Sequence, residues 1–388
     1  MFYPSYIELS KSALMRNLKF IREQTGPNVL FSSVVKGNAY GHGISTFVPL
    51  AEKCGVRHFS VFSANEAYRT YKCRTEDSNI MIMGAADSEA IAWAIENDIS
   101  FFVFDLERLN TAINHAKKIQ KPARIHLELE TGLNRTGLEG KELSEAVAMI
   151  RSEPDHILIE GVCTHYAGSE SVGNYYRIQN QIWSYHEQCA WLRSQGLNLG
   201  LRHTASSAGV FTYPETIMEM VRVGISQYGF WPSKETEMHY HLSNGTARGP
   251  KRPNPLRRVM NLKSRIMSIK TVKPGQFIGY GTSYITTKTQ KIAIVPIGYF
   301  HGFPRMLSNI GYVLLHGRRA NVIGLVHMNM LFIDITDFAD VKKGDEVVIF
   351  GKQKKGHITV ASFSDMTRYL NYEVLVRLPS EIPREVVQ

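Results

Sequence analysis

The chain has 388 residues, 44% of them apolar and 21% charged, which excludes a disordered protein and exceeds one ordinary core, so two domains are expected. Its formal charge of +10 suits an anionic ligand, yet the densest basic stretch, Arg248 to Arg265, lacks the aromatic interleaving of a nucleic-acid arm and reads as a solvated linker. Cys54, Cys73, Cys163 and Cys189 lack Cys-x-x-Cys spacing, no run has the ~20 apolar residues of a membrane helix, and charged residues interrupt Met1 to Phe20 where a signal peptide would be apolar, so no metal or membrane is expected and the cytoplasm is the expected compartment.

Between residue 28 and about 230, short β-rich runs alternate with longer segments whose apolar residues recur every three or four positions. The first strand, 29–35, leads into Val35-Lys36-Gly37-Asn38-Ala39-Tyr40-Gly41-His42. An ammonium is costly to bury, so Lys36 at the end of an apolar run is solvated, paired or chemically used. If used, it suits a Schiff base with an aldehyde such as pyridoxal phosphate, a nearby tyrosine hydroxyl and free backbone N–H groups being available to the phosphate. Further strands are expected at 58–62, 80–83, 100–104, 124–129, 159–164, near Leu201 and near 220–224, with helical patterns at 90–96, 106–119, 143–152 and 175–195. Some eight strand–helix units suit a parallel β/α (TIM-like) eight-stranded barrel better than an open doubly wound sheet, the alternative topology. Chemistry belongs at the carboxyl ends of such strands, where Lys36, His165 and Arg222 fall.

Beyond the Pro/Arg-rich stretch 249–258 the pattern becomes mostly β, with runs at 263–269, 291–297, 312–315, 321–323, 331–334 and 346–350 and a late helix near 360–370. The expected organisation is a barrel domain over residues 1–245, binding pyridoxal phosphate, followed by a β domain over 246–388.

The blocks Tyr6-Ile7-Glu8-Leu9-Ser10, Val34 to Gly43, Thr164-His165-Tyr166-Ala167, Ser206-Ser207-Ala208, Arg222-Val223-Gly224-Ile225, Gly279-Tyr280-Gly281-Thr282, Pro296-Ile297-Gly298-Tyr299 and Asn371-Tyr372-Glu373 follow one another along the chain. In kind and order they resemble the alanine racemase family nearly end to end. The resemblance implies a pyridoxal 5'-phosphate enzyme in which Lys36 forms the internal aldimine and Tyr40, Ser207, Gly224, Ile225 and Tyr372 surround the phosphate. It also implies a homodimer with shared active sites, Tyr280 entering from the neighbouring subunit and His165 linking it to Arg222. Arg135, the backbone N–H of Met328, and Tyr299 at the entrance are the implied substrate contacts.

Racemisation removes an α-proton from one face and returns one to the other, so two acid/base groups must flank the substrate. Lys36 is expected to serve one face and Tyr280 the other. Arginine at the cofactor's pyridine nitrogen, the place of Arg222, only donates a hydrogen bond, which makes a weak electron sink and suits clean proton exchange. Together with the family resemblance, this makes interconversion of L- and D-alanine the expected reaction. The alternatives are a racemase of another amino acid, such as serine or a broader range, and a non-catalytic pyridoxal-phosphate-binding homologue.

The chain departs from the family pattern in two places. Glu130 stands where an aspartate is usual, and Glu128 where many relatives carry a lysine modified to a carbamate. Either glutamate is expected to anchor Arg135 near the substrate carboxylate. Leu325, Asn329 and His301 replace an arginine and two acidic residues, which makes the entrance less negative and bears on substrate range.

Overall fold

The computed structural model describes residues 3–243 and 253–388. The expected domain junction at 245/246 and the basic residues Arg248, Lys251 and Arg252 lie outside them. Two compact units form, one from Ser12–Lys36 and Val48–Arg257, the other from Met1–Lys11, Gly37–Phe47 and Arg258–Gln388.

After β1 (Tyr6–Ser10), which belongs to the second unit, come β2 (Leu30–Val34), β3 (His58–Val61), β4 (Asn79–Ile82), β5 (Ser100–Val103), β6 (Ala123–Glu128), β7 (Ile157–Cys163), β8 (Leu201–His203) and β9 (Met220–Val223). Strands β2 to β8 pair in sequence order, all parallel, and β9 lies beside β2 with Leu30 opposite Met220. Across the remaining gap Ser206 bridges Arg222, whose N–H donates to the Ala205 carbonyl at 3.0 Å. The result is the expected parallel barrel, nearly closed.

Local chemistry explains the helices between the strands. Ser63, Asp87 and Asp105 follow β3, β4 and β5, and each side chain accepts a first-turn N–H, from Glu66 at 3.3 Å, Ala90 at 2.9 Å and Arg108 at 2.7 Å. Such caps stabilise a helix by about 1 kcal/mol each. The helix Leu106–Ile119 then buries Leu109, Ala112, Ile113 and Ala116, a helical stripe that covers the sheet. Met81, Phe102, Cys163 and Met220 form an apolar cluster on the strands.

The second unit is built on β10 (Met260–Arg265), β11 (Ser268–Val272), β12 (Gln290–Val295), β13 (Tyr312–Leu315), β14 (Arg318–Ile323), β15 (Leu331–Asp334), β16 (Glu346–Gln353), β17 (Gly356–Ile358) and β18 (Arg384–Val387). Their order is β11-β12-β15-β14-β13-β16-β10-β1-β18, with β17 on β16. The single run expected at 263–269 is two strands. Ile266 N–H donates to the carbonyl of Asp345, just before β16, at 3.0 Å, while Met267 N–H donates to the carbonyl of Ile294 on β12 at 2.8 Å, so the chain changes partner there. Lys263, read with the basic linker, lies on β10 and pairs with Glu8 at 2.8 Å and Glu346 at 3.1 Å. No described helix is long and apolar enough to cross a membrane.

Candidate active site

In the barrel unit the site grows from strand ends. Val35 N–H donates to the Ser60 carbonyl at 2.9 Å, which extends the β2 pairing and delivers Lys36 to the rim. Lys36 keeps an exposed surface, yet desolvation by the protein around its amine lowers its pKa; Arg135 lowers it further and Arg222 adds, against an opposing pull from Glu66. A lowered pKa favours the neutral amine that nucleophilic or base chemistry requires.

After Lys36 the second unit's segment makes one left-handed turn: Gly37, Asn38, Ala39 and Tyr40 have φ of 62°, 54°, 55° and 49°, and Gly41 N–H donates to Gly37 at 3.0 Å. Three of these residues carry a Cβ, so the turn stores strain of roughly 1–2 kcal/mol per residue. His42 holds it from within, its Nδ1 lying 3.0 Å from the Tyr40 carbonyl and 3.1 Å from that of Ala39. Facing two carbonyls, Nδ1 must carry the proton. The turn buries Tyr40, whose ring lies 6.0 Å from that of Tyr372.

Arg135 lies in the loop beyond β6. Glu128, buried at the end of β6, places Oε1 3.6 Å from Arg135 Nη2 and accepts from Thr136 Oγ1 at 2.8 Å. Burial raises the Glu128 pKa, with Thr136 and Arg135 pulling it back. Glu130 does something different. Burial would raise its pKa, but backbone N–H groups of Gly132, Asn134 at 2.9 Å and Arg135 at 3.4 Å lower it on balance. One carboxylate thus holds the guanidinium and the other shapes the loop that carries it.

Arg222 on β9 is buried. Its Nη1 donates to the ring Nδ1 and the carbonyl of His203, and its Nη2 to the Thr164 carbonyl at 2.9 Å. Among the described residues these contacts take three of the five guanidinium N–H groups, leaving donors for an aromatic nitrogen acceptor. The side chain of His165, just past β7, receives no hydrogen bond from Arg222 among the described residues; Arg222 acts on it through charge. Desolvation first, then Arg222, Arg135 and Lys36, push the His165 pKa down to about 3, so its ring is neutral. Beyond β8 and β9, Ser207 Oγ accepts from Gly224 N–H at 2.9 Å, and Ile225 follows with its side chain buried. Because that oxygen accepts from the backbone, its own O–H is free to donate to an anion such as a phosphate oxygen.

The second unit assembles the remaining residues into a surface patch. Tyr280, 69% exposed between Gly279 and Gly281, has its ring 4.3 Å from that of His327. The carbonyls of His327 and Met328 accept from Tyr299 and Phe300 N–H, both at 3.0 Å. Arg305 lies 5.9 Å from the Tyr299 ring. Two histidines escaped sequence reasoning: His203 and, behind it, His126, whose rings lie 4.9 Å apart inside the barrel. An isolated histidine on a strand carries no sign of which side of the sheet it faces.

Family models described as "Alanine racemase, N-terminal domain" and "Alanine racemase, C-terminal domain" match residues 9–232 and 259–386. Similar relatives include the alanine racemases of Leptospira interrogans, 33% identical over 99% of this chain and 96% of that protein, and Methanococcus maripaludis, 33% identical over 98% of each. Among solved structures, alanine racemase of Clostridium difficile 630 superposes with a TM-score of 0.89 at 30% identity, covering 100% of this chain and 96% of that one. That of Bacillus anthracis with bound L-Ala-P gives 0.88 at 28% identity over the same shares of 100% and 96%.

Proposed function

The chain belongs to the alanine racemase family, and from that premise we propose that it interconverts L- and D-alanine by a two-base mechanism using Lys36 and Tyr280. It is a pyridoxal-phosphate-dependent isomerase. The observation that carries the residue assignment is Lys36 at the barrel rim, its pKa lowered by desolvation and by Arg135 and Arg222.

Lys36 would hold the cofactor's aldehyde carbon, Tyr40, Ser207, Gly224, Ile225 and Tyr372 its phosphate, and Arg222 its pyridine nitrogen. The donors left on Arg222 and the Ser207 hydroxyl fit those tasks. When bound, pyridoxal phosphate supplies an electron sink that acidifies the α-hydrogen of an amino acid. The chain supplies the rest. Lys36 Nζ takes or returns a proton on one face of the α-carbon, and the Tyr280 hydroxyl does so on the other. Arg135, held by Glu128, and the Met328 backbone N–H orient the substrate carboxylate, while Tyr299 lines its entrance. His165, neutral and acceptor-capable, would accept from the Tyr280 hydroxyl and couples it to Arg222 through charge. The reading includes a cytoplasmic homodimer in which Tyr280 of one subunit serves Lys36 of the other; the buried thiols of Cys163 and Cys189 suit a reducing compartment.

His301, Leu325 and Asn329 favour a second reading in which the range extends beyond alanine, serine included. Single enantiomers of a panel of amino acids, incubated with the cofactor-loaded protein, separate the readings. Loss of optical activity for alanine alone supports the first, comparable loss for serine the second, and carbon dioxide release or unchanged chirality overturns both.

A further inference from the structure

We propose that His203 and His126 are positioning residues, each fixed with its proton on Nε2 by a one-way hydrogen-bond chain that runs from Arg222 through the barrel interior to Ser100 and Glu160 and so aims Arg222. The consequence for the cofactor rests on the reading that Arg222 meets its pyridine nitrogen.

The direction follows from the two ends. A guanidinium can only donate. Arg222 Nη1 contacts His203 Nδ1, so that nitrogen is bare and the His203 proton sits on Nε2. His203 Nε2 lies 2.9 Å from His126 Nδ1, which must then accept, placing the His126 proton on its own Nε2. That nitrogen lies 3.3 Å from Ser100 Oγ and 3.6 Å from Glu160 Oε2. Ser100 spends its own hydroxyl proton on the Ile80 carbonyl at 3.4 Å, so its oxygen is left to accept. The Glu160 contact is longer than a hydrogen bond but favours a proton at the same nitrogen. Arg124 holds the carboxylate, its Nε 2.7 Å from Oε1.

Both rings are almost wholly buried, His203 at 0% exposure and His126 at 1%. Desolvation lowers both pKa values; Glu160 pulls that of His126 upward, but Arg222 lowers each and the balance for both is downward, so the rings stay neutral. Reversing either tautomer would set two N–H groups face to face with no water to rescue them. The neighbouring His58 is committed elsewhere, its Nδ1 lying 2.8 Å from Ser32 Oγ. Space is reserved for the chain as well: a Cβ at Gly161 would come 2.6 Å from His126 Nδ1 and 2.4 Å from the Leu201 carbonyl. Arg222 is thus gripped from behind by acceptors alone, which leaves its free donors pointing away from them.

Side-chain 15N shifts of the full chain labelled with 15N-histidine, read with and without pyridoxal phosphate, test the assignment. Both rings are expected to show a protonated Nε2 and a bare Nδ1 in both states. A proton on Nδ1 of either ring, or a charged ring, overturns the proposal. His126→Phe removes the acceptor of His203 at similar ring volume. The His203 nitrogen shifts should then move, and the dissociation constant for pyridoxal phosphate should rise about tenfold, as expected for one lost bond to a charged group's network. A folded His126→Phe protein with unchanged His203 shifts and cofactor affinity contradicts the aiming role; if that variant does not fold, the wild-type shifts decide alone. Neither measurement contains substrate, so a failed racemase assay leaves the result standing.

Discussion

At the level of single residues, the site's chemistry rests on groups held away from their ordinary protonation behaviour. Glu128 illustrates it: a buried carboxylate with a raised pKa, 3.6 Å from the guanidinium of Arg135. Glu128→Gln keeps the shape and removes the charge, so the KM for alanine should rise about tenfold with a smaller effect on kcat. Steady-state kinetics check this; an unchanged KM would leave Arg135 without its anchor. Because its pKa is raised, Glu128 takes a proton at higher pH than an exposed carboxylate does, so the wild-type KM should climb earlier on acidification than that of Glu128→Gln. Lys36, His165 and Arg222 were legible in the sequence because each stands in a recognisable block at a strand end. His203 and His126 were not, since their roles arise from partners 77 residues apart that only the barrel brings together.

Among elements, the left-handed turn after Lys36 is the one whose geometry the residues must pay for. Gly41, at φ 77°, sits where a Cβ would come 2.0 Å from the Leu375 carbonyl. Gly41→Ala should therefore destabilise the chain by more than about 2 kcal/mol, beyond the usual range for a methyl group, because backbone must move. Urea unfolding measures it, and a loss below half that figure would show that the turn relaxes freely. The eight barrel strands were visible as short apolar runs with boundaries good to about two residues, most clearly β3, β5 and β9, whose residues are buried throughout. The break between β10 and β11 was not visible, because Arg265 to Ser268 remains locally β-like and only the change of partner from β16 to β12 divides it. β1 likewise owes its place to β10 on one side and β18 on the other, pairings far apart along the chain.

For the whole molecule, the two compact units interleave along the chain, and buried histidines tie stability to pH. His42 in one unit and His58 in the other are pushed by desolvation from 6.5 to about 3. Their folded pKa is depressed, so the unfolded chain binds protons first as pH falls. Their contribution is whole above pH 6.5 and is lost as pH falls through about 3. Glu160 adds a second window: burial would raise its pKa, but His126 and Arg124 lower it from 4.5 to about 2, so its contribution disappears between those values. The urea midpoint should be flat above pH 7 and decline steadily below 6.5; a midpoint constant down to pH 4 would contradict the burial of these rings. The proposed mechanism sets two bases against each other across one α-carbon, Lys36 on one side and Tyr280 on the other. Its most direct test is α-deuterium uptake in heavy water from L-alanine and from D-alanine, measured separately for cofactor-loaded Tyr280→Phe. Uptake from one enantiomer should persist through Lys36 while uptake from the other falls roughly 100-fold or more; equal and negligible losses from both would contradict it.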